Sequence, residues 1–287
     1  RAVRPYAYPA SVVPALLGAA IARAEGHPPE IFLLILVLAG VVSAHTGGNL
    51  VNDYVDFRRG VDRPGTLGGN GVLVEGLMTP RKTLFGAAAS FALAAAVAFP
   101  LMVLGGLPVA GLALFGFFAA VAYVAPPFGL KYRALGDLNV FLSFGVGITL
   151  GSYMIQAGAF SWAPVAAGAV YGLWVVALLH INNTRDMEDD AADGTKTVAG
   201  ILGQRLARAT YAFLVLGSYA LAAVLAFAAV IPRGALLCFV TLPLGVALVV
   251  RVLPASSGRE ELAAAVFRTP LYSLFFGLAM TAGVVFL

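Results

Sequence analysis

Long apolar runs separated by short polar punctuation make up almost the whole chain. IFLLILVLAGVVSAH (31–45) and LFGFFAAVAYVA (114–125) are typical, and such runs recur at lengths near the roughly 20 residues that cross a bilayer core. The pattern predicts nine spanning helices near 9–24, 31–52, 82–104, 107–124, 137–158, 162–182, 206–230, 234–253 and 266–287. The first is short and interrupted by Pro14. Gly105, Gly106 and Pro108 divide the third from the fourth, Pro126 and Pro127 follow the fourth, and Pro232 divides the seventh from the eighth.

Composition turns this pattern into a class. The chain of 287 residues is 60% hydrophobic and 11% charged, with a mean hydropathy of +0.91, whereas a soluble domain carries about 25% charged residues. The expected fold class is all-α: a polytopic membrane protein of nine transmembrane helices in two pseudo-symmetric halves around a central cavity, forming one domain over 1–287. Ala10 to Ala22 has no cleavage-site pattern and is read as a span rather than a leader. Cys238 is the sole cysteine, so no disulfide forms within one chain.

Charge orients the helices. With a cytoplasmic N-terminus, every Lys and Arg except Arg23 and Arg233 falls on the cytoplasmic side, as the positive-inside rule requires. The net charge of +4 therefore describes a membrane face and gives no ground for nucleic-acid binding. All the acids except Glu25 and Glu30 fall on that side too, so one face carries nearly all the chemistry.

Two acidic stretches stand out there. In the first, NDYVDFRRGVD (52–62), the residues His45, Asn49, Asn52 and Asp56 step by four, three and four, which is one stripe of a helix that continues through them. In the second, HINNTRDMEDDAADGTK (180–196), Asn182, Asp186 and Asp190 step by four. Asn52 to Asn182 and Asp56 to Asp186 are both offsets of 130, the mark of an internal repeat. Asp53, Asp189 and Asp193 are expected simply to meet water and headgroups. Asp56 and Asp186 are not, because an acid near hydrocarbon costs about 2.5–3.5 kcal/mol and calls for a cavity and a partner.

Facing carboxylates without cysteine suit a hard cation with oxygen ligands. Mg²⁺ in such a setting shares a few carboxylates with substrate phosphates, so a diphosphate is the natural ligand. An EF-hand is excluded: counted from Asp186, the sixth position is Ala191 and the twelfth is Thr197. No Walker sequence occurs. Gly147 and Gly151 form a GxxxG that lets helices approach.

NDYVD followed by GVD, with NNTRDMEDD in the second half, resembles the UbiA superfamily of intramembrane aromatic prenyltransferases across essentially the whole chain. DFRRGVD, LKYRALGDL (130–138), NNTRDMEDDAADG and GGNGVLVEG (68–76) resemble its menaquinone branch. The resemblance implies an enzyme that moves a prenyl group from an isoprenyl diphosphate, geranylgeranyl or longer, to an aromatic acceptor, 1,4-dihydroxy-2-naphthoate. It implies Mg²⁺ held by Asn52, Asp56, Asp62, Asn182, Asp186 and Asp190. Arg58, Lys131, Arg185 and Tyr123 are implied at the diphosphate, with Asp56, Asp186 and Lys131 central to catalysis. His45 and Asn49, with Phe141, Phe144 and Tyr153, are the expected acceptor or cavity lining. Two positions depart from the pattern. Gly60 stands where the broad motif has a third aspartate, leaving that part to Asp62, and Gly71 stands where bacterial branch members carry arginine.

The expected setting is the cell membrane of a prokaryote, with the site facing the cytoplasm and the tail in lipid. The loop 57–81 is long enough to act as a lid. Paired acidic half-repeats also describe a secondary transporter, and Gly60 and Gly71 leave room for a prenyl-diphosphate binder without turnover.

Overall fold

The computed structural model describes residues 2–64, 69 and 71–287. Its helices are α1 (Pro9–Ala24), α2 (Ile31–Arg59), α3 (80–105), α4 (107–122), α5 (Gly136–Ala157), α6 (Trp162–Arg185), α7 (Met187–Ala192), α8 (Val198–Phe227), α9 (Arg233–Val252) and α10 (Arg259–Phe286). Eight helical stretches are long and apolar enough to cross a membrane. One of them, Pro80–Ala122, is broken at Gly106 into α3 and α4, which gives nine rods among the described residues.

The break follows from the glycine pair. A straight helix of 43 residues would run about 64 Å, twice a bilayer core. Gly106 instead takes φ 65°, a conformation that costs only glycine little. The two limbs fold back, bringing the Phe91 and Phe117 ring centroids to 5.1 Å.

The repeat runs through the fold. Adding 130 to the bounds of α1, α2 and α4 gives 139–154, 161–189 and 237–252, matching α5, α6 and α9. Large apolar residues such as Phe85, Leu107 and Phe227 lie exposed on the outside, where lipid would cover them, while Trp174, Tyr171, Tyr211 and Phe276 are buried between α6, α8 and α10. The tightest helix contact is glycine on glycine. A Cβ on Gly145 of α5 would sit 2.6 Å from the Gly172 Cα of α6. The expected contact pair, Gly147 and Gly151, instead opens toward α4, where both residues line a cavity.

Two boundaries differ from those the sequence predicts, in ways that shape the site. Helix α2 continues past residue 52 to Arg59, carrying the acidic stretch on a regular helix. It stops at Gly60, whose left-handed φ of 75° lets its N–H turn back to the Asp56 and Phe57 carbonyls. The glycine that breaks the family pattern is thus the helix cap. In α5, residues Phe141–Gly147 wind more widely, with i→i+5 spacing, and this rotates the remainder of α5 relative to a regular helix.

Candidate active site

A cavity of about 1150 Å³ runs down the bundle from the acidic ends of α2 and α6. The α2 face along it is regular: Val37, Gly40, Ala44, His45, Asn49 and Asn52 all line it, changing from small and apolar to polar toward the acidic end. From α6, Val175, Leu178 and Asn182 repeat that gradient, ending in Arg185 and Asp186. A chamber with one charged end and one apolar end is the result.

At the charged end, each half pairs its first motif acid with a cation. Asp56 is 2% exposed. It accepts from Lys131 Nζ at 2.5 Å and from the Tyr132 hydroxyl at 2.5 Å, and Lys131 Nζ also lies 3.4 Å from Asn52 Oδ1. The Arg59 guanidinium stacks 3.9 Å from the Tyr132 ring centroid. Burial, then the Asp56 charge, pushes the Tyr132 phenol above its ordinary range, so it remains a donor. In the other half, Arg185 grips Asp186 with two parallel bonds, Nε to Oδ1 at 2.6 Å and Nη2 to Oδ2 at 2.5 Å. The segment carrying Lys131 is pinned by Lys131 N–H to the Tyr123 carbonyl at 2.8 Å and Ala134 N–H to the Lys196 carbonyl at 2.6 Å.

Asp62 and Asp190 also line the cavity, in a different electrostatic condition. Burial, then Asp56, pushes the Asp62 carboxyl up to about 6. Burial pushes Asp190 up to about 7, with Asp186 and Asp193 adding to the rise and Lys131 opposing it. These are the places where negative charge is least compensated.

The expected residues divide accordingly. His45, Asn49, Asn52, Asp62, Tyr123, Lys131, Phe144, Asn182, Arg185, Asp186 and Asp190 all line the cavity. Asp56 stands just behind it, turned to Lys131 and Tyr132. Arg58 is corrected: two residues past Asp56 on a helix, it points away and is exposed. Phe141 is corrected too. It packs where a Cβ on Gly172 would meet its ring at 2.9 Å, and it is outside the cavity lining. Tyr153 is buried at the opposite end of the bundle, its hydroxyl on Glu25 and its ring edge-on to His27. Gly68 and Asn70 of GGNGVLVEG, and 65–68 and 70 of the expected lid, lie outside the described residues.

Three residues read from sequence as merely solvated have partners. Asp53 is 3% exposed and accepts from Arg4 Nη2 at 2.5 Å. Asp189 pairs with Arg259, and Asp193 with Arg63. Arg4 and Tyr132 were not singled out in the sequence. Tyr132 sits inside LKYRALGDL, where its place beside Lys131 was the available signal; Arg4 left none, because its partner is 49 residues away.

The donor set fits a hard divalent cation. The groups facing the cavity are carboxylate and amide oxygens, and each half offers one or two carboxylates, the number Mg²⁺ takes when phosphate and water complete its shell. Among the described residues no three acidic or histidine side chains converge as a closed metal cage. An open site shared with a ligand's own oxygens is the arrangement that remains.

Comparison with known proteins agrees with this architecture. The profile of the UbiA prenyltransferase family matches residues 11–282. UbiA prenyltransferase domain-containing protein 1 of Danio rerio is 33% identical over 227 residues, covering 78% of this chain and 67% of the fish protein. The Homo sapiens protein of that name is 32% identical over the same shares. Among solved structures, the apo UbiA homologue of Aeropyrum pernix K1 superposes with a TM-score of 0.75 at 20% identity, covering 99% of this chain and 98% of that one. A UbiA homologue of Archaeoglobus fulgidus, bound to GPP and Mg²⁺, gives 0.64 at 19% identity and 98% of each chain. The fold and cavity define an intramembrane prenyltransferase, and the chain belongs to the UbiA prenyltransferase family.

Proposed function

We propose that the protein transfers a prenyl group from an isoprenyl diphosphate to a hydroxylated aromatic acceptor, 1,4-dihydroxy-2-naphthoate, as a step toward menaquinone. The observation that carries this is the cavity itself, with acids and cations gathered at one end and an apolar shaft below. The A. fulgidus homologue, bound to GPP and Mg²⁺, supports the donor class. The motif stretches DFRRGVD and NNTRDMEDDAADG support the menaquinone branch.

In this reading Asn52, Asp62, Asn182, Asp186 and Asp190 supply oxygens to Mg²⁺, which when bound would neutralise charge on the departing diphosphate. Lys131 and Arg185 are already held at the cavity by their acids, and their N–H groups pass to the diphosphate oxygens when it arrives. Asp56 is thereby freed to join the oxygen set, and Tyr132 keeps its carboxylate oriented. Tyr123, beside Lys131, completes the diphosphate end. The allylic carbon–oxygen bond then breaks, and an electron-rich ring carbon of the acceptor attacks the resulting cation. His45 and Asn49, next down the α2 stripe, meet the acceptor, and the apolar walls keep water from that cation.

The site lies at the cytoplasmic face of a prokaryotic cell membrane, and residues 1–287 act as one domain. The clustering of the basic residues at the motif end supports that orientation. A direct test offers dihydroxynaphthoate and hydroxybenzoate in parallel to the purified protein with geranylgeranyl diphosphate. Prenylation of the naphthoate is the expected result; reaction with hydroxybenzoate alone would move the protein to another branch. Substrate uptake into vesicles without covalent product would favour a transporter.

A further inference from the structure

We propose that Val37, Leu101, Val109 and Ile155 form a floor that sets the prenyl chain length, so that a tail of four isoprene units fits wholly inside and longer tails are discriminated against. The inference rests on the prenyl-diphosphate reading of the acidic end.

The floor is a closed end of the cavity. All four residues line it, and they come from four different helices, α2, α3, α4 and α5. Each is only 6–7% exposed. All lie at the end of their helix farthest from the acids, around the α3–α4 reversal. There a Cβ on Gly105 would meet Val109 Cγ2 at 2.3 Å and Ile155 Cδ1 at 3.3 Å. Directly behind, Gln156 locks the start of α2 to the end of α5. Its Oε1 accepts from Glu30 N–H at 2.8 Å, and its Nε2 donates to the Glu30 carbonyl at 3.1 Å. A wall tied by two such bonds does not yield readily to a longer tail.

Depth follows from helix geometry. Val37 and Asn52 lie on one face of α2, 52 − 37 = 15 residues apart, or about 22 Å, a little over four turns. An extended isoprene unit is about as long as one helical turn of 5.4 Å, so roughly four units separate the diphosphate end from the floor. A tail entering from lipid exchanges one apolar surrounding for another and gains little hydrophobic free energy. Preference for length must therefore come from fit: a short tail leaves a void above the floor and a long one collides with it.

The test is a chain-length series of ten-, fifteen-, twenty-, thirty- and forty-five-carbon diphosphates. It is run as kcat/KM with the acceptor and as calorimetric binding of the non-reacting thiolo-diphosphates. The wild type should peak at twenty carbons and fall by about tenfold at thirty. Leu101→Ala with Ile155→Ala should move the optimum to a longer chain, and Val109→Phe to fifteen carbons; opposite shifts from opposite volume changes exclude general unfolding. Equal use of twenty, thirty and forty-five carbons by the wild type would overturn the floor, since tails would then leave sideways into lipid. So would an unchanged length profile in variants that still bind. If binding peaks at twenty carbons but no acceptor is prenylated, the transfer reading fails and the floor stands.

Discussion

Asp56 shows how one carboxylate can serve two partners. Its oxygens are taken by Lys131 and Tyr132, so it cannot be replaced by a neutral side chain without leaving a buried ammonium unpaired. Asp56→Ala and Asp186→Ala should each lower kcat/KM by about hundredfold or more while the protein still purifies folded. Full activity in either would remove these acids from the mechanism. Gly60→Asp gives a second residue-scale check, because it restores the acid of the broader motif at a position with φ 75°. Thermal unfolding should show a loss of about 1 kcal/mol with no gain in turnover. The stripe from His45 to Asp56 was legible in sequence because helix periodicity alone places it. The bonds of Asp53 to Arg4 and of Asp56 to Tyr132 were not, since both depend on which distant segment folds over α2.

At the scale of elements, the contrast between two glycines of α5 is informative. Gly145 meets the backbone of α6, which cannot move aside, whereas Gly151 faces the cavity with Leu112 at 3.8 Å as its nearest neighbour. Gly145→Leu should therefore cost about 3 kcal/mol in detergent melting. Gly151→Ala should melt like the wild type. The sequence suggested Gly147 and Gly151 as the contact pair, and Phe141 and Tyr153 as cavity residues. The shared cause is the wide winding over Phe141–Gly147, which breaks the 3.6-residue period on which any face assignment relies. By contrast, the α3–α4 reversal was readable, because Gly105, Gly106 and Pro108 are a local signal that no tertiary contact overrides.

Across the whole molecule, two repeats of a helix pair bring two acidic ends to one mouth, where rim pairs such as Arg63 with Asp193 join the halves across 130 residues of sequence. Charge segregates in the same way: the opposite end keeps Arg23, Glu25, Glu30 and Arg233. If that segregation sets topology, single cysteines at Arg58 and Arg259 in a Cys238→Ala background should be labelled from the cytoplasmic side of sealed vesicles, and one at Arg233 from the other side. The measurement that bears most directly on the account is mass-spectrometric detection of prenylated product from purified protein, geranylgeranyl diphosphate and dihydroxynaphthoate, with Mg²⁺ or with EDTA. The account predicts product with the metal and none with the chelator. Product formed equally in both would contradict it, because the acids at the cavity mouth would then have no divalent cation to hold.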